Sequence, residues 1–104
     1  MKDRATEAPT FEVFPDERSR VVGSLDFGTV NTLLPVGSDA ISQGRAAVID
    51  LAGVTHSDSS GLALLIEWLS VAKAAQRTLR YENVPSQLHQ LARLSEIEEL
   101  LAAG

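Results

Sequence analysis

The sequence predicts a single α/β domain: a mixed four-stranded sheet with helices packed on it, in the order β-β-α-β-α-β-α-α. Three observations lead there. The chain has 104 residues, 44% of them hydrophobic, which is one domain's worth of core. Short alternating or apolar runs recur at Thr10–Phe14, Ser19–Leu25, Ala46–Leu51 and Thr78–Asn83, in the manner of strands. Segments with helical spacing separate the later runs, and strands alternating with helices imply parallel β-α-β units. Right-handed crossovers then put the first two long helices on one face of the sheet.

Taken in order, residues 1–8 carry both charge signs and no apolar core, so they read as a disordered tail and not as a secretory signal. The domain proper is residues 9–104. T-F-E-V-F alternates, Pro15 to Arg18 turns, and Ser19–Leu25 completes a hairpin. Val30–Gln43 has helical spacing at Val30, Leu33, Leu34, Ala40 and Ile41. Pro35 lacks an N–H, so this helix either kinks or starts near Leu34. Ala46–Leu51 is a buried central strand, and Ala52–Ser57 a connecting loop. Ser59–Gln76 is the strongest helix, with no Pro and only Gly61 near its start. Pro85 opens a helix to Leu94, at a position where a missing N–H costs nothing. Ser95 followed by Glu98 has the form of a capping box for a short last helix.

Composition narrows the function. Nine Lys and Arg against 14 Asp and Glu give a net charge of −5. Nucleic-acid binding runs on phosphate neutralisation, so no nucleic acid is expected. The same balance disfavours an anionic membrane surface, and no apolar run reaches the 18 or so residues that membrane insertion needs. The chain has no cysteine, which removes disulfides, thiol nucleophiles and thiolate metal sites. His56 and His89 have no ligand spacing, so neither metal nor cofactor is expected. His56, Asp58 and Ser59 are sequence neighbours and cannot converge on one reacting atom as a triad. The glycines form no phosphate loop. No catalytic residue emerges, and a protein-binding role remains by elimination.

The head of the long helix carries the most information. Asp58, Ser59 and Ser60 sit where backbone N–H groups are orphaned and the dipole is positive. Asp58 or Ser59 is the expected N-cap. A hydroxyl there could also contact a partner or accept a phosphoryl group, although Asp58 would repel it. Gly61 is either a tight packing residue or a place where a partner's backbone comes close.

Down this helix two apolar stripes lie side by side. Leu62, Leu65, Ile66, Leu69 and Ala72 form the core face, and Leu64, Trp68, Val71 and Ala75 form the second. Together they span an arc of about 220°, where a surface helix needs little more than about 100°. Either a neighbouring element such as the Pro85 helix covers the excess, or Leu64 and Trp68 form a docking face.

The run V-I-D-L-A-G-V-T-H-S-D-S-S-G-L-A-L-L, Val48–Leu65, resembles the STAS domain: a strand, a loop, then D-S-S-G-L at a helix start. Gly23-Ser24-Leu25-Asp26-Phe27 is similar to the family's G-E-L-D segment, with Ser24 where Glu is usual. The resemblance covers Val21 to Leu101 and implies a STAS-like fold. Gly61–Leu69, Tyr81–Pro85 and Leu91–Ser95 are similar to the branch that forms the MlaB subunit of Mla-type phospholipid ABC transporters. That branch implies a non-catalytic cytoplasmic subunit, peripheral to the inner membrane of a Gram-negative cell. It would bind the ABC transporter ATPase subunit and support outer-membrane lipid asymmetry. The expected partner-binding residues are then Asp58, Ser59, Ser60, Gly61, Leu64 and Trp68. The alternative branch is an anti-sigma factor antagonist, phosphorylated on Ser59 by an anti-sigma kinase. That branch usually has a second Gly where Ala63 stands here.

Overall fold

A computed structural model describes residues 8–102; the tail expected over residues 1–8 lies, apart from Ala8, outside them. The order is β1 (Thr10–Phe14), β2 (Arg18–Leu25), α1 (Val30–Ser42), β3 (Val48–Ser57), α2 (Ser59–Ala74), β4 (Arg80–Glu82), α3 (Ser86–Leu94) and α4 (Glu98–Ala102). This is the predicted α/β order. The sheet runs β1-β2-β3-β4, with β1 antiparallel to β2 and the other pairs parallel. The β1–β2 turn places Asp16 and Glu17 at positive φ.

Strand β3 is longer than expected: Ala52–Ser57 continues it and is not a connecting loop. Its pairing to β2 slips between Arg20 and Val22 and again between Gly23 and Ser24. At each slip β3 holds one residue more than its partner, and such bulges break the two-residue side-chain period. The sequence pattern therefore stops looking like a strand at Ala52 while the hydrogen-bonded ladder goes on.

α1 starts at Val30 and carries Pro35 inside it. The Asn31 carbonyl therefore has no N–H four residues on to accept from. Ser95 ends α3, where its N–H donates to the Leu91 carbonyl, and α4 begins only at Glu98. Glu96 lies between the two helices at positive φ, and Glu98 pairs with Arg93, so the expected capping box is not the device that starts α4.

The helices cover one sheet face. Val21, Leu25, Ile49 and Leu51 of the sheet are fully buried with Ile41 of α1, Leu65 and Trp68 of α2 and Leu88 of α3. Burying a side chain of this size contributes about 1.5–3 kcal/mol. The Tyr81 hydroxyl, also buried, donates to the Leu65 carbonyl at 2.6 Å and ties β4 to α2. The opposite sheet face is lined with charge: Arg20 pairs with Glu12, and Glu82 pairs with both Arg18 and Arg80.

Candidate functional site

The parallel strands β2 and β3 end side by side, Leu25 opposite Ser57, and each hands the chain to a helix on the same face. The heads of α1 and α2 are therefore neighbours, at the carboxyl end of the strands where open α/β sheets place their sites.

Asp58 organises this end. It is the N-cap of α2, with extended backbone, and its Oδ1 accepts from the Ser60 N–H at 2.8 Å and the Gly61 N–H at 3.3 Å. Its Oδ2 accepts from the Phe27 N–H at 3.3 Å. One carboxylate thus caps α2 and pins the β2–α1 turn. Within that turn the Asp26 carbonyl accepts from the Thr29 and Val30 N–H groups, and the Thr29 hydroxyl donates to the Ser24 carbonyl at 2.8 Å. The turn leaves Phe27 81% exposed.

Gly61 is buried against β2. A Cβ there would lie 2.5 Å from the Leu25 carbonyl oxygen. The packing reading of this glycine holds, and the expectation that it receives a partner's backbone is corrected: its open side already faces Leu25. Ser59, by contrast, is exposed at the first position of α2, and Ser60 is half-buried beside it.

The second stripe is core. Trp68 is 0% exposed and Leu64 3%. The indole N–H donates to the Leu34 carbonyl at 3.3 Å, and the ring meets Phe11 edge-on at 5.6 Å. The expectation that Trp68 anchors a partner is therefore corrected. The covering element is α1, not the Pro85 helix, because Gly37 lets α1 settle onto the indole. Leu64 is corrected in the same sense: it is not an exposed contact but the floor of a groove between α1 and α2.

That groove has a volume of about 380 Å³. Phe27, Val30, Asn31 and Leu34 line one side, and Ser60, Ala63 and Glu67 the other. Sequence reasoning found Ser60 and Leu64 and missed the α1 wall. The available signal was Phe27, a bulky apolar residue in an Asp-Phe-Gly-Thr turn that no core position required. His56 is exposed at the end of β3, and among the described residues no group of three His, Cys, Asp or Glu could hold a metal ion.

A family model described as "Mlab, STAS domain" matches residues 16–102. No curated protein matches the chain. Among solved structures, the anti-sigma factor antagonist SpoIIAA in its unphosphorylated form is similar at a TM-score of 0.64 and 22% identity, over 84% of this chain and 83% of that one. The Bacillus cell fate determinant SpoIIAA in its phosphorylated form gives a TM-score of 0.65 at 22% identity, over 86% and 85%. At this identity the likeness is one of fold.

Proposed function

The chain belongs to the STAS domain family, and on that premise we propose that it is a non-catalytic subunit that binds the ATPase of an Mla-type phospholipid ABC transporter. In this reading it works in the cytoplasm, held at the inner membrane through the transporter, and supports assembly and activity in outer-membrane lipid asymmetry. The family model's MlaB description supports it. The structural observation that carries it is the exposed head of α2, where Ser59 stands beside an apolar groove.

The alternative is an anti-sigma factor antagonist phosphorylated on Ser59. Fold likeness to SpoIIAA is compatible with it. One feature weighs against it. A phosphoryl group on Ser59 would seek the N–H donors of the first turn, but Asp58 already takes those of Ser60 and Gly61.

Size-exclusion chromatography of the purified chain with two candidate partners tests the proposal. Co-elution with the ABC transporter ATPase of the same organism is expected. Co-elution with a histidine-kinase-like anti-sigma ATPase instead, with ATP-dependent phosphate appearing on Ser59, would replace this reading with the alternative.

A further inference from the structure

We infer that the groove between the heads of α1 and α2 is a socket for a large apolar side chain on a partner segment whose neighbouring residues are Lys or Arg. This rests on the reading that the chain docks on an ATPase subunit and names the chemistry of the contact. The floor is apolar, with Leu64 below, Leu34 and Ala63 on the walls and Phe27 standing over the opening. Phe27 is 81% exposed and continuous with the apolar lining of the recess, and contiguous exposed apolar surface of this kind is where partners dock. The recess takes side chains, not a whole element: at about 380 Å³ it lies near the lower end of small-ligand pockets.

Charge fixes the partner's flanks. No Lys or Arg lines the groove, while Glu67 does. Glu67 is exposed, and no ion pair involves it among the described residues. Asp26 and Asp58 sit in the turn and the cap that hold Phe27 and Ser60 in place. The cations of α2 and the segment after it, Lys73 and Arg77, stand at the opposite end. The helix heads would by themselves attract an anion, each with roughly half a positive charge. Here a full carboxylate already caps α2, and the Asp26 carbonyl takes the first N–H groups of α1. The remaining field is that of the carboxylates. Such a rim attracts a cationic partner and speeds its approach.

The test measures affinity of the full chain for the purified ATPase subunit by calorimetry at low and high salt. Three variants sit at exposed positions: Ala63→Phe fills the socket, Phe27→Ser removes its lip and Glu67→Lys reverses the rim. Unchanged unfolding midpoints confirm that each still folds. Each should weaken binding by about tenfold or more, as hot-spot and rim changes do. Glu67→Lys should also flatten the salt dependence, and Glu99→Lys, away on α4, should do neither. Full-strength binding by Ala63→Phe would show that the socket is empty in the complex. Tighter binding by Glu67→Lys would show an acidic partner. Either result overturns the inference while leaving the proposed function intact. A wild-type chain that does not bind the ATPase at all fails the proposed function itself.

Discussion

The indole N–H of Trp68 donates to the Leu34 carbonyl across the α1–α2 interface, and Gly37, one turn further along α1, faces the same ring. A Cβ at Gly37 would lie 2.3 Å from Trp68 Cζ2. The ring is fully buried and cannot move aside without losing its hydrogen bond and its contact with Phe11. The clash in Gly37→Ala should therefore cost about 3 kcal/mol, the upper end of the usual range for overpacking, and leave the fold less stable. That outweighs the gain of about 1 kcal/mol that Ala normally brings to a helix interior. Urea unfolding reads the difference directly, and a stabilised variant would contradict this packing.

The single tryptophan should emit at a blue-shifted maximum in the isolated chain, with little change when the ATPase binds. Trp68→Ala should cost about 3–5 kcal/mol of stability, as large core truncations do. A red-shifted maximum in the free chain would place the indole in water and refute its position under α1.

Asp58→Ala should lower stability by about 1–2 kcal/mol through loss of the N-cap. It should also release the Phe27 turn, since the same carboxylate accepts the Phe27 N–H. Hydrogen exchange reads both effects, with faster exchange expected at Phe27, Ser60 and Gly61. Protection retained at Phe27 would show that the turn is held by other bonds.

Asp50 supplies a pH dependence. The Asn83 side-chain amide donates to its carboxylate, as does the Ala52 N–H, and together with Arg18 and Arg20 they hold its pKa below the ordinary value despite partial burial. A carboxyl with a depressed folded-state pKa contributes stability above its unfolded value, near 3.8, and loses it as pH falls through the folded value. The acid limb of the stability curve should thus be shallower in Asp50→Asn, with the difference confined to below about pH 4. Equal slopes would remove Asp50 from the acid transition.

Much of this architecture was legible in the sequence. Ser59–Gln76 reads as a helix because nothing in it opposes one, and the helix runs to Ala74; Asp58 or Ser59 reads as its cap because such side chains favour that position, and Asp58 takes the role. The end of β3 was hidden because two bulges and Gly53 scramble the alternation that marks a strand. The start of α1 was hidden because Pro35 is a breaker by rule, yet this helix tolerates it. The fate of Trp68 was not readable locally at all. An apolar arc wider than one face states that something covers it, but that α1 is the cover depends on Gly37, whose role appears only when the two helices are side by side. The groove shared that obscurity, since its walls come from residues more than twenty-five positions apart.

ATP turnover by the phospholipid ABC transporter of the same organism, purified with and without this chain, tests the central claim most directly. The account predicts that turnover falls when the chain is left out, returns on adding it, and does not return on adding Ser59→Asp, which puts charge and bulk at the exposed head of α2 while leaving the Asp58 cap in place. Full turnover without the chain, together with no co-migration of the chain and the ATPase, would contradict it.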